Sequence, residues 1–328
     1  MILFWTGALA LTTLLYVLLD GFDLGVGILF GLTRDEEQRA DMLGSIAPVW
    51  DGNETWLVLS GTILFGAFPK VYATLLSAFY LPLVVMLCAL ILRGVAFEFR
   101  YKALAARWVW DWGFAAGSLV ATFIQGVTVG ALVKGLPIEG GHYVGGMFDW
   151  ASPFALLCGL GLCLGYALLG AGWIIAKCEG ALQDRAFRLL PGLTFGVAIF
   201  LVAVFVVSIG LHLQIMDRWM QRPYLAVFPL IGAIAGFRLI VSLRRHDDLE
   251  PFRMMVLIFI AAFGTLAVSF WPYILPFAIT IDDGAAPPSS LSFMFWGSGL
   301  IVLPLTVTYT FTVYRIFSGK VVKGAHYH

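Results

Sequence analysis

Residues 4–32 form one apolar stretch broken by only two charged side chains, Asp20 and Asp23. A helix rises about 1.5 Å per residue, so roughly 20 such residues cross the hydrocarbon core of a bilayer. Eight further apolar segments follow, near 53–68, 73–92, 114–133, 152–176, 193–213, 224–243, 254–279 and 291–316. Only helices and closed barrels satisfy every backbone polar group in lipid. A barrel would show alternating segments of about ten residues; this chain has continuous blocks of Leu, Val, Ala, Phe and Gly. The expected fold class is therefore all-α and integral to the membrane, with nine transmembrane helices. Composition agrees: 12% of the 328 residues are charged, against about 25% in soluble domains.

Charge distribution sets the expected orientation. The loops after the first, third, fifth and seventh segments, with the C-terminal tail, hold fifteen Lys and Arg, among them Arg93, Arg100, Arg107, Lys177, Arg185 and Lys323. The opposite loops hold four: Lys70, Lys134, Arg218 and Arg222. By the positive-inside rule the N-terminus lies outside and the C-terminus in the cytoplasm. The first segment lacks a basic n-region and a small-residue cleavage site, so it reads as a retained helix. Trp108, Trp110 and Trp112 before the fourth helix, and Phe148 and Trp150 before the fifth, fit interfacial aromatic belts. The loops at 135–151 and 282–290 read as turns, which leaves one polytopic membrane domain over 1–328. Zero formal net charge gives no indication of a nucleic-acid partner.

The carboxylates are the anomaly. A charged group at mid-membrane costs about 2.5–3.5 kcal/mol on insertion scales and is a functional candidate. Asp20 and Asp23 share one helix face; two ionised carboxylates there repel, so the pair is suited to holding and passing a proton. Alternatively they mark the membrane interface, against which the apolar run 24–32 argues. In Trp50-Asp51-Gly52-Asn53-Glu54-Thr55, Asp51 and Glu54 are spaced as a capping box at the start of the second span. The same carboxylates, with Asn53, could form an inlet for cytoplasmic protons. The candidate proton-pathway residues are thus Asp51, Asp23, Asp20 and Glu54.

Other polar residues have simpler readings. Cys88, Cys158, Cys163 and Cys178 lie in apolar segments with no C-x-x-C pair, as small core thiols do. None of His142, His212, His246, His326 and His328 lies in the middle of a span, where haem ligation would need an inward His or Met; His326 and His328 read as a disordered tail. Arg93, Glu98 and Arg100 are expected to close the third helix and pair locally or meet lipid head groups. Arg238 is expected to snorkel.

The strings Asp20-Gly-Phe-Asp23-Leu-Gly-Val-Gly, Ala47-Pro-Val-Trp50-Asp51-Gly-Asn53-Glu54-Thr-Trp56, Phe68-Pro-Lys-Val-Tyr72, Arg93-Gly-Val-Ala-Phe-Glu98-Phe-Arg100 and Trp271-Pro-Tyr-Ile-Leu-Pro276 resemble subunit II of the cytochrome bd-type ubiquinol oxidases, their cyanide-insensitive branch included. The resemblance covers the chain from the first helix to the last. It implies two four-helix bundles plus a peripheral ninth helix in the bacterial cytoplasmic membrane. It also implies a partner subunit I that carries haem b and haem d and oxidises quinol, while this chain binds no haem or metal. The complex reduces O2 to water with cytoplasmic protons, and the proton-path role carries over most directly to Asp51, then to Asp20 and Asp23. A bound quinone, as some relatives hold, and a small extra subunit are also compatible with it.

Two other function classes fit the residues alone. Paired intramembrane carboxylates suit a stand-alone proton-coupled transporter or channel equally well. A purely structural subunit would use each carboxylate as a cap or an interface charge.

Overall fold

The structure, a computed structural model, describes residues 1–103 and 105–321, without the side chain of Asp217. The tail residues Lys323, His326 and His328 lie outside the described residues. Helices α1 (Ile2–Gly31), α3 (Trp50–Ala67), α5 (Tyr80–Arg100) and α6 (Arg107–Lys134) pack as one bundle. A second bundle comprises α7 (Pro153–Lys177), α8 (Ala181–Gly210), α10 (Val227–Arg245) and α11 (Glu250–Phe270). The last helix, α14 (Leu300–Ile316), is peripheral and has no fully buried residue. Among the described residues eight helices are long and apolar enough to cross a bilayer, and the bent pair of α3 with α4 (Pro69–Ala78) brings the number to as many as nine.

Local sequence explains where helices start and stop. The short α2 (Glu36–Ile46) is capped by Asp35, which accepts from the Gln38 N–H at 2.9 Å, with Glu36 and Glu37 in its first turn. Ser152 caps α7, with Pro153 at the first helical position. At its other end α10 carries Arg244 and Arg245 and closes on His246 in the left-handed conformation, φ 52°.

Several expected boundaries move. The segment at 73–92 is not one span. Pro69 lacks an N–H and disfavours helix at Phe68, so the chain turns by 120° between α3 and α4 before α5 starts at Tyr80. The Ala286 N–H donates to the freed Ala67 carbonyl at 2.8 Å. At the other end of the chain, α11 stops at Phe270, because Pro272 and Pro276 supply no donors. Residues up to 280 instead form a hairpin of β3 (Tyr273–Leu275) and β4 (Ile279–Thr280), with Tyr273 opposite Thr280. The loop at 135–151, expected as turns, contains a second hairpin, β1 (Ile138–Glu139) with β2 (His142–Tyr143), and the one at 282–290 begins within α12 (Ile281–Gly284). Trp108, Trp110 and Trp112 lie within the first turns of α6, not before it. The ninth segment is interrupted: α13 (Pro288–Met294) passes through a wide turn at Phe295–Gly299 into α14.

Polar contacts gather the basic loops at one end. The Arg185 guanidinium donates to the Leu32 carbonyl at 2.6 Å, and Lys320 pairs with Asp248 at 2.6 Å. The Lys177 ammonium donates to the carbonyls of Phe317 and Gly319. At the opposite end the Trp5 indole donates to the Leu291 carbonyl at 3.1 Å. Of the cysteines, Cys178 is buried just beyond α7 and burial pushes its thiol up to about 12, as an inert core thiol requires. Cys88, in contrast, is exposed on the flank of α5 rather than in a core.

The bundles meet where α1 crosses α7. A Cβ at Gly25 would run into the Tyr166 carbonyl, and one at Gly170 into the backbone of Gly25 and Val26. Two glycines here bring two backbones into contact, the arrangement that stabilises helix pairs in lipid. Gly25→Leu or Gly170→Leu is therefore expected to force the bundles apart. The measurement is the yield of monodisperse protein in mild detergent, which should fall sharply for either variant and stay at the parental level for Gly236→Leu, where a side chain meets open space.

Candidate functional site

The polar residues of α1 recur on one face. Thr12, Tyr16, Asp20 and Asp23 follow the helical repeat, and all four are buried. On α3 the facing residues are Asn53, Trp56 and Ser60, and the Ser60 hydroxyl donates to Thr12 at 3.0 Å. α3 has only 18 residues and carries Asp51, Asn53 and Glu54 in its first turns.

The structure brings Asp20, Asp23 and Glu54 to one arginine. Arg93 of α5 donates from Nη1 to Asp20 Oδ1 at 2.8 Å, and its Nη2 lies 3.5 Å from Glu54 Oε1. Asp20, Asp23 and Arg93 are each 0% exposed. Asp23 is held differently: Asn53 Nδ2 donates to its Oδ2 at 2.7 Å and to the Leu19 carbonyl at 3.3 Å. Asn53 is fixed in turn by the Tyr314 hydroxyl of α14, which donates to its Oδ1 at 3.0 Å. On the far side of Asp20, Tyr166 of α7 donates to Gln125 Oε1 at 3.1 Å, and Gln125 Nε2 donates to the Tyr16 hydroxyl at 2.7 Å.

Three carboxyl groups face one guanidinium, so the group spans net charges from +1 to −2. An unbalanced charge away from water is costly. Several polar atoms here are buried without a hydrogen-bond partner: Asp20 Oδ2, Asp23 Oδ1, Glu54 Oε1, Arg93 Nε and Nη2, and Trp56 Nε1. Such clustering is unusual for a structural ion pair, whose groups are normally satisfied. It fits a site that exchanges protons.

Two expectations are corrected. Arg93 neither ends a helix nor meets lipid head groups; α5 runs to Arg100, which puts Arg93 well inside it. Nor is Asp51 a cap: α3 begins one residue earlier, at Trp50, and has no side-chain cap. Asp51 is exposed and stands outside the buried group. Arg100 also turns inward, donating from Nε to Asp111 at 2.5 Å and from Nη2 to Glu36 at 2.8 Å. Asp111 accepts from Arg39 at 2.7 Å as well, so this second cluster ties α2 to α5 and α6. Arg238 pairs with Glu250 at 3.0 Å near the end of α10 while staying largely exposed, as snorkelling requires.

Arg93, Tyr16, Gln125, Tyr166 and Tyr314 were not among the expected site residues. Arg93, like Asp20, is a charged residue in an apolar run, between Leu92 and Gly94. The other four are neutral and leave no such mark.

These features define a polytopic helical membrane protein with an ionisable group buried in its first bundle, and comparison places it further. The profile of the family described as cytochrome bd terminal oxidase subunit II matches residues 1–317. "Probable cytochrome oxidase subunit 2" of Haemophilus influenzae is 31% identical, the match covering 90% of this chain and 84% of that protein. "Cytochrome bd-I ubiquinol oxidase subunit 2" of Escherichia coli K12 is 29% identical over 94% of this chain and 92% of its own length. "Cytochrome bd ubiquinol oxidase subunit 2" of Bacillus subtilis is 30% identical over 93% and 92%. Among solved structures, the bd oxidase from Geobacillus thermodenitrificans superposes with a TM-score of 0.79 at 17% identity, over 96% of this chain and 98% of the matched one. The chain belongs to the cytochrome bd terminal oxidase subunit II family. It is a multi-pass inner-membrane subunit of a respiratory-chain oxidoreductase.

Removing Arg93 should leave Asp20 buried without a counter-charge, a loss of about 3–5 kcal/mol for a broken buried pair. Arg93→Met is therefore expected to lower the unfolding midpoint of the purified protein markedly. Pairing it with Asp20→Asn should recover much of the loss, as read in the same thermal scan.

Proposed function

We propose that this chain works as one membrane domain beside a haem-bearing partner, subunit I, in a quinol:O2 oxidase, and that its buried carboxyl group supplies cytoplasmic protons for reduction of O2 to water. The observation that carries this reading is the meeting of Asp20 and the partly exposed Glu54 at Arg93, with Asp23 buried one turn along α1 from Asp20 and held by Asn53. Protons enter at the basic face, which the positive-inside rule assigns to the cytoplasm, and pass Asp51 and Glu54. Asp23 and Asp20 hold them next, within hydrogen-bonding reach of water bridging their unpartnered oxygens. The chain also scaffolds subunit I through apolar surface that the two bundles leave exposed.

We place the haems in the partner on the positions of the histidines. Among the described residues His142 lies in β2, His212 follows the end of α8 and His246 closes α10, all outside the spans. Haem ligation from a bundle needs an inward axial side chain. Family membership favours an oxidase subunit over a stand-alone transporter.

The test is turnover of the assembled complex with quinol, normalised to its haem. Asp23→Asn is expected to lower it about 100-fold, the scale of a lost proton-transfer group, with the haem spectrum and subunit ratio intact. A purely structural role predicts the opposite pattern: less complex, with unchanged turnover in what remains.

A further inference from the structure

The three carboxyls of the first bundle are not equally enclosed. Asp20, Asp23 and Arg93 are 0% exposed, and Asn53 beside them is 1% exposed. The polar face beyond Asp20 is closed as well: Tyr16, Gln125 and Tyr166 hydrogen-bond in series, and both tyrosines are buried. Glu54 alone of the three carboxyls reaches the surface, with 27% of its side chain exposed. It lies at the margin of the exposed stripe of α3 formed by Asp51, Thr55 and Val58. Its carboxyl therefore straddles the wall of the bundle, for Oε1 is buried on the Arg93 side.

Glu54 is also the more loosely held partner of Arg93. Asp20 Oδ1 accepts from Nη1 at 2.8 Å, an ordinary hydrogen bond. Glu54 Oε1 stands 3.5 Å from Nη2, and neither atom has a hydrogen bond. Charge alone keeps the Glu54 carboxylate at the guanidinium. A proton on that carboxylate removes the attraction, and a partly exposed side chain of this length changes rotamer within about nanoseconds. Asp20, enclosed and hydrogen-bonded, has no such freedom.

Resting on the proton-supply reading above, we propose that Glu54 is the gate of the buried carboxyl group and that its own protonation opens it. Charged, Glu54 stays beside Arg93 and closes the way to Asp20. It accepts a proton from water at the surface, loses its hold on the guanidinium and turns its acid O–H inward. The proton then passes, through water between the two carboxyls, to Asp20 Oδ2, the oxygen that Arg93 leaves unpartnered. Glu54 is again a carboxylate and returns to Arg93. One proton has moved from Glu54 to Asp20, and the summed charge of the two is unchanged by that transfer. Arg93 can serve both because Nη1 and Nη2 belong to one guanidinium.

The experiment uses the assembled oxidase and two readouts: haem-normalised turnover in H2O and D2O, and the rate at which the buried carboxyl band in the infrared shifts after transfer to D2O. Glu54→Gln keeps the size of the side chain and removes its proton. It should slow turnover on the order of 100-fold, raise the deuterium isotope effect because proton entry becomes limiting, and delay the band shift by a similar factor. Glu54→Asp keeps a titratable group but draws it back by one methylene, about 1.5 Å, so the same effects should appear at smaller size. A merely structural role would lower the yield of complex and leave deuterium exchange at the parental rate. If Glu54→Gln fails to assemble, exchange in Glu54→Asp carries the test, and a parental rate there would overturn the gate. Parental turnover or parental exchange in an assembled Glu54→Gln complex, with Asp23→Asn slow, would overturn the gate and leave the proton-supply reading standing. Parental turnover in Asp23→Asn itself would overturn both.

Discussion

The contact of Arg93 with Asp20 is the interaction on which the first bundle depends. It joins α5 to α1 at a depth where neither residue touches solvent. Replacing such a pair by matched apolar groups often stabilises a protein, so a buried ion pair is weak evidence of a stability role. This one is shared: Glu54 also lies 3.5 Å from the Arg93 guanidinium, and Asp23, one turn from Asp20, is held by Asn53. The extra carboxyls fit the proposed proton supply better than they fit a purely structural pair.

Much of the architecture serves to hold that group in place. The Gly25 and Gly170 crossing draws α7 against α1, which puts Tyr166 within reach of Gln125 and so completes the polar face beyond Asp20. At the basic end, Asp111 clamps Arg39 and Arg100, fixing the connection from α1 through α2 to α3. The sharp turn at Phe68 and Pro69 lets α3 be short. A short α3 places Asn53 and Glu54, one turn into it, at the level of Asp23.

The sequence makes part of this legible. Asp20 and Asp23 stand out because a carboxylate in an apolar run has few structural uses, and the spacing of three already puts them on one face. The number of spans follows from apolar length. The apolar run of the third segment ends at residue 92, which sets Arg93 at a helix end; α5 continues to Arg100 and makes it an interior cation. Asp51 looked like a cap because its spacing to Glu54 satisfies that pattern, and the true start at Trp50 depends on how α2 delivers the chain. Tyr314 and Gln125 have no local signature at all. Their roles exist only through partners 261 and 109 residues away in sequence.

The central claim is that Asp23 changes its protonation during turnover. Redox-induced infrared difference spectroscopy on the assembled oxidase tests it most directly, because a buried carboxylic acid has a carbonyl band separate from protein amides. The account predicts a band that appears or shifts with the redox cycle, moves in D2O and is missing from the Asp23→Asn complex. A difference spectrum with no carboxyl band, or one identical in the Asp23→Asn complex, would contradict it.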